Sequence, residues 1–275
     1  MKNLAEVFNA ALFVILLIVP LAEARWSWPR YLKKLAANLP GSRMRHFRNL
    51  IFWEWAFTLA FLASWALSGR PWASMMMNQV GPIQSWMFLI YAGLFIFIFW
   101  RQRRTILARP ATVERLRKRL DFAGPLLPHT PAERRLFWVV SATAGICEET
   151  LYRGFLTWYI ARWMAPWANN PTGYWSGPLV VPWTAIVLSS LIFGLGHVYL
   201  GIKQVPRTFV VGLLLAGLAW LSGSLWPSIV LHAAIDWNSG ELGYALLNRL
   251  PNAATEPAHD SSARAIQELS KSDQC

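Results

Sequence analysis

Three short stretches hold the residue types able to do acid–base chemistry. They are Cys147-Glu148-Glu149-Thr150-Leu151-Tyr152-Arg153, then Phe193-Gly194-Leu195-Gly196-His197, then His232-Ala233-Ala234-Ile235-Asp236. Each lies in an apolar run, where an ionisable group costs several kcal/mol and therefore calls for a partner or a function. Glu149 and Arg153 stand four apart with the acid first, the favoured order for a helical ion pair. That pairing leaves Glu148 as the carboxylate without its own cation, free to act as a general base. His232 and Asp236, also four apart, share one helix face, where they could hold a metal, orient each other or serve an oxyanion. The glycines before His197 let another helix or a substrate approach closely. Each stretch alone has a plainer explanation: a polar cluster joining helices, a structural His at a helix end, a buried packing pair. Of the five His, only His197 and His232 fall in these runs; His46, His129 and His259 read as loop or tail residues. A thiolate at Cys147 would lack a nearby cation in lipid, which disfavours it as a nucleophile.

The elements that must carry these residues are long and apolar. Of 275 residues 55% are hydrophobic and 15% charged, with 17 Trp and 15 Phe, against about 25% charged in a typical soluble domain. A spanning helix needs about 20 mostly apolar residues. Seven segments qualify or nearly so: 5–22, 48–68, 84–100, 135–160, 178–198, 205–222 and 225–248. The expected fold is all-α, a polytopic bundle of about seven spans, or six if the first is a cleaved signal. Lys2, the run Ala11–Leu21 and Ala22-Glu23-Ala24 fit a signal peptide. Glu6 and the basic, Trp-rich residues that follow favour a retained helix.

The charges between segments set the orientation. Arg25, Arg30, Lys33, Lys34, Arg43 and Arg45 lie between the first two, and the long loop 101–134 is richer still. The loops 69–83 and 161–177 carry only Arg70 and Arg162, whereas Lys203 and Arg207 follow the fifth segment and Arg249, Arg264 and Lys271 the last. Rich and poor loops alternate, which puts the N-terminus outside and the basic loops in the cytoplasm. Val113, Leu116 and Leu120 recur at helical spacing in the long loop and predict a surface helix. Thr130-Pro131-Ala132-Glu133 reads as a capping box opening the fourth helix. The organisation expected is membrane helices with a basic loop over 1–134, a four-helix catalytic core over 135–248 and a flexible tail over 249–275. The +12 charge is better matched to anionic lipid than to nucleic acid, since no zinc-finger spacing or basic soluble face occurs.

Taken together and in this order, Glu-Glu-x-x-x-Arg, Phe-x-x-x-His and His-x-x-x-Asp on successive membrane segments resemble the CAAX protease and bacteriocin-processing (CPBP) family, which includes the type II CAAX prenyl endopeptidases. The resemblance covers roughly 135–248. It implies a glutamate-dependent intramembrane endopeptidase in which Glu148 and His197 activate water, while His232 and Asp236 form the oxyanion site. Glu149, Arg153 and Phe193 take supporting places. Asp236 departs from the Asn of the prenyl endopeptidases, and an ionised Asp cannot donate a hydrogen bond. The expectation is a peptide or membrane-protein substrate, membrane lipid as surroundings, a bacterial cytoplasmic membrane and no cofactor. A zinc site from His197, His232 and a carboxylate is the minor alternative, with no His-Glu-x-x-His present. Competing readings are a non-proteolytic scaffold or immunity-type protein and an ion-coupled transporter, the latter without visible repeats.

Overall fold

Inside lipid every backbone N–H and C=O must be satisfied within the segment, so apolar runs of this length become helices. The computed structural model describes residues 2–77, 82–119, 124–164 and 180–248, and among them no strand occurs. The helices are α1 (Lys2–Ala22), α2 (Trp28–Ala36), α3 (Ser42–Leu67), α4 (Pro82–Leu107), α5 (Pro110–Arg119), α6 (Pro131–Glu148), α7 (Thr157–Met164), α8 (Val180–Gly196), α9 (Val205–Ser222) and α10 (Trp226–Asn248). The tail 249–275 and Leu120 lie outside the described residues.

Among the described residues, three continuous helical stretches are long and apolar enough to cross a membrane: Ala5–Ala36, Ser42–Leu67 and Ile202–Ser222. Together with the outward exposure of Leu67, Ile90, Ile96, Leu214 and Leu221, they make this an integral membrane protein whose apolar surface faces out as well as in. α8 is apolar but shorter. α6, the π-helical stretch after it and α10 carry Glu148, Glu149, Arg153, His232, Asp236 and Glu241, which lower their hydropathy.

Three expectations change. The first segment does not stop near residue 22: a π-helical turn, Glu23–Ser27, joins α1 to α2 and carries the helix on to Ala36. The fourth is one path broken in character, since α6 passes at Glu149 into π-helix over Glu149–Leu156 before α7 resumes. His46 is not in a loop but within α3, its ring stacked on Tyr31 at 4.1 Å. Local charge around His46 suggested loop, while packing under α2 made it helical. The capping box is formed in full, with Thr130 Oγ1 accepting from Glu133 N at 3.2 Å and Glu133 Oε2 from Thr130 N at 3.1 Å.

Contacts give relative directions. α3 runs parallel to α6, with Phe47 beside Phe137, Trp55 bonded to Thr143 and Phe61 beside Phe155. α10 runs antiparallel to α6, with Ile229 and Ala233 at Gly145 and Glu241 at Arg134. α8 and α9 are antiparallel, with Gly194 at Val205 and Trp183 at Trp220. The core gathers around the π-helical stretch: Leu12 and Leu16 of α1, Phe61 and Trp65 of α3, and Phe193 of α8 close on Leu151, Tyr152, Phe155 and Leu156.

Candidate active site

The two adjacent acids sit at the point where α6 changes to π-helix, a register shift of the sort that often marks functional positions. An α-helix would turn neighbouring side chains about 100° apart. Here both reach toward one imidazole. Glu149 Oε1 takes the Arg153 Nη1 ion pair at 2.8 Å and lies 2.7 Å from His232 Nδ1. Glu148 Oε2 lies 3.9 Å from His232 Nε2, on the other edge of the ring.

The Glu149–Arg153–His232 group is closed. Glu149 is fully buried, and Arg153 and His232 nearly so. Arg153 lays its guanidinium over the Phe193 ring at 3.9 Å and points Nη2 at Gly212 O, 3.4 Å away. The expected ion pair is therefore present, but the pairing does more than neutralise Glu149. It makes Glu149 the group that orients His232, the part sequence spacing had offered to Asp236. A carboxylate can only accept at this contact, so the proton on it belongs to His232 Nδ1.

Glu148 differs. Its side chain keeps 21% exposure, and its Oε2 is closed to solvent with no hydrogen-bond partner. Asp236, 35% exposed, holds Oδ2 3.6 Å from His232 Nε2. His197 follows the last turn of α8, where Nδ1 lies 2.9 Å from Phe193 O. The carbonyl requires that Nδ1 carry the proton, which leaves Nε2 as an acceptor. Phe193 sits between the two imidazoles, 4.8 Å from the His197 ring and 5.9 Å edge-on from that of His232. Asp236 and His232 are within electrostatic reach of His197. The three motifs thus converge around Phe193. Among the described residues no group of three or more His, Cys, Asp or Glu is arranged to hold a metal ion. Cys147 is buried beside Thr58.

Close helix approach makes this convergence possible. A Cβ on Gly145 would stand 2.8 Å from both Ala233 Cβ and Ile229 O, and one on Gly194 would stand 2.9 Å from Val205 O. Glycine at 145 lets α10 come near enough for His232 to meet Glu149, and Gly194 does the same for α8 against α9.

Sequence reasoning passed over two further acids at this site. Glu54 of α3 lies within electrostatic reach of Glu148, Asp236 and Glu23. Glu23, in the π-helical turn after α1, is likewise within reach of Glu148. The signal was available for Glu54, an acid inside an apolar run; for Glu23 the cleavage-site pattern drew attention elsewhere.

Residues 131–238 match the family model of the type II CAAX prenyl endopeptidase Rce1-like proteins. That stretch contains Glu148, His197, His232 and Asp236. No curated protein and no solved structure matches the chain.

Proposed function

We propose that the protein is an intramembrane endopeptidase in which Glu148 and His197 activate a water molecule and His232, flanked by Asp236, stabilises the oxyanion. The observation that carries this reading is the division of labour between neighbouring acids. Glu149 Oε1 takes both Arg153 at 2.8 Å and His232 Nδ1 at 2.7 Å, whereas Glu148 comes no nearer to His232 Nε2 than 3.9 Å, although one oxygen of each acid has no hydrogen-bond partner. An unengaged carboxylate beside a partly open site is suited to accept a proton.

In the proposed reaction water gives a proton to Glu148, with His197 Nε2 as the second acceptor, and the hydroxide attacks the peptide carbonyl. The tetrahedral oxyanion is met by Nε2–H of His232 in its doubly protonated form, whose Nδ1–H is held by Glu149. One such donor is typically worth about 3 kcal/mol of the barrier. Collapse breaks the C–N bond, and Glu148 returns its proton to the leaving amine. Asp236 acts beside His232 through charge and does not itself need to donate. An Asn at 236 could donate directly, so Asp236→Asn should retain cleavage while Asp236→Ala loses it.

The substrate class is a peptide or membrane-protein segment reaching the site from the cytoplasmic side, because His197 lies at the end of α8 that leads into the basic turn with Lys203. The test is comparative: membranes bearing wild type or Glu148→Gln are searched for a peptide terminus produced only by wild type. Glu148→Gln and His197→Ala should each abolish cleavage with the protein folded in detergent. Full activity in either variant would falsify the mechanism. Cleavage that stops on strong chelation and returns with zinc would replace it with a metal route, and Cys147→Ser should be silent.

A further inference from the structure

Tyr152 lies in the π-helical stretch between Glu149 and Arg153 and has no part in the reaction above. Its ring is buried and stands edge-on to Phe193, with centroids 5.2 Å apart and planes at 77°. The same Phe193 ring is 4.8 Å from that of His197 and 5.9 Å from that of His232. The phenol therefore belongs to the group that surrounds Phe193. Its far end is placed by Gly196, the residue before His197: a Cβ there would stand 3.3 Å from Tyr152 Oη. The hydroxyl thus points at the turn that bears His197.

A buried tyrosine ordinarily finds a partner for its O–H. Neighbouring hydroxyls have theirs, since Thr150 donates to Ile146 O at 2.7 Å and Thr157 to Tyr152 O at 2.9 Å. Tyr152 Oη has none among the described residues, and it is not one of the atoms closed to solvent. Gly196 is what keeps it uncovered. At Gly145 and Gly194 a Cβ would come within 3 Å of backbone on another helix, so close helix approach explains those glycines. At Gly196 the nearest atoms would be Tyr152 Oη and, at 3.9 Å, Pro20, and the backbone is not left-handed. Neither packing nor turn geometry asks for glycine there.

A peptide cut inside lipid must be unwound around the bond, which strips main-chain carbonyls of their helical partners. Each carbonyl left unmet in lipid costs several kcal/mol. The site is rich in acceptors and short of donors. Ionised Glu148 and Asp236 can only accept, and His197 Nε2 accepts as well. His232 Nε2–H serves the oxyanion, and Arg153 is turned to Glu149 and Gly212 O. The O–H of Tyr152 is the donor left over.

We propose that the Tyr152 hydroxyl donates a hydrogen bond to a main-chain carbonyl of the bound peptide, beside the bond to be cut. This rests on the hydrolase reading above and adds to it a residue that holds the substrate.

The experiment uses the full chain in lipid nanodiscs and an apolar Ala/Leu peptide. In a second series each amide carbonyl is replaced in turn by a thioamide, whose sulfur accepts weakly. Mass spectrometry of the products gives kcat and KM. Tyr152→Phe, which removes only the hydroxyl, should lower kcat/KM by on the order of tenfold, the scale of one neutral hydrogen bond. In wild type, the thioamide at one position should cost a similar factor; in Tyr152→Phe the same replacement should cost nothing further. That penalty is read within one preparation, so partial misfolding cannot imitate its loss. If Tyr152→Phe does not fold, Gly196→Ala, which crowds the hydroxyl and keeps the ring, decides by the same penalty. Wild-type kcat/KM in Tyr152→Phe, or a thioamide penalty unchanged at every position, overturns the proposal. If nothing is cleaved, the hydrolase reading fails by itself. Fluorescence polarisation of the labelled all-amide peptide on Glu148→Gln, with and without Tyr152→Phe, then decides this one: roughly tenfold weaker binding without the hydroxyl supports it, and equal binding removes it.

Discussion

α10 is tied to α6 and its continuation at two heights, and the two ties differ in kind. At one, His232 meets Glu149 and Arg153 with all three sealed from solvent. At the other, Glu241 accepts from Arg134 Nε and Nη2 at 2.6 Å each and from Trp138 Nε1 at 2.9 Å, with Arg103 of α4 at 3.5 Å. Arg134 is 37% exposed and Arg103 32%. Glu241 is well supplied with donors, and its partners can fall back on water. The sealed group has no such recourse, so losing either Glu149 or Arg153 strands the charge of the other. The outer tie holds the helix in place, while the inner tie also fixes the angle of the His232 imidazole.

The contrast can be broken most severely at Arg153. Arg153→Met leaves Glu149 uncompensated and should cost about 3–5 kcal/mol of stability together with all cleavage, read as a lowered unfolding midpoint in detergent beside a peptide assay. A stable, active Arg153→Met would show that Glu149 does not need its cation. Glu148→Gln sharpens the same point from the neighbouring residue. It should lower activity by roughly 10²–10⁴-fold, the range for a general base, with the unfolding midpoint unchanged or raised. A large stability loss there would mean Glu148 is a structural acid like Glu149.

Next in size is the approach between the helices. Gly145→Ala must push α10 away from Ala233 and Ile229, costing about 1–3 kcal/mol as overpacking and weakening the His232–Glu149 contact. Activity should fall by more than the folded fraction does, and equal falls would separate the site from this contact. Glu241→Gln should cost about 1–2 kcal/mol, the scale of charged hydrogen bonds, and leave cleavage within a few-fold; a loss matching Arg153→Met would erase the distinction between the two ties. The smallest effect is expected at Glu6, which takes Arg70 at 2.8 Å and Arg162 at 2.7 Å but remains 45% exposed. Glu6→Gln should shift stability by about 1 kcal/mol at most, measured in the same thermal assay.

Much of the site was legible because its residues are conspicuous where they stand. Glu148, Glu149 and Arg153, His197, and His232 with Asp236 interrupt runs that are otherwise apolar, and all six fall in the segment matched by a peptidase family. The Glu149–Arg153 pair and the Thr130–Glu133 capping box followed from spacing alone, since both are contacts within one turn. Less legible was the orienting partner of His232. Spacing offered Asp236, four residues away, while the bond goes to Glu149 on another helix. The π-helical stretch that follows the two acids leaves no periodic trace in the residues.

Composition and short-range spacing by themselves determined that this is an all-helical membrane chain with its ionisable intramembrane residues in three short stretches. Lipid forces helices on any long apolar run, and the cost of burying charge makes each exception visible. Tertiary structure alone decided which of the two adjacent acids holds the His232 imidazole and which stands farther from it. Those outcomes depend on how closely glycine lets helices approach and on where the helical register shifts, and both are properties of neighbours far apart in the chain.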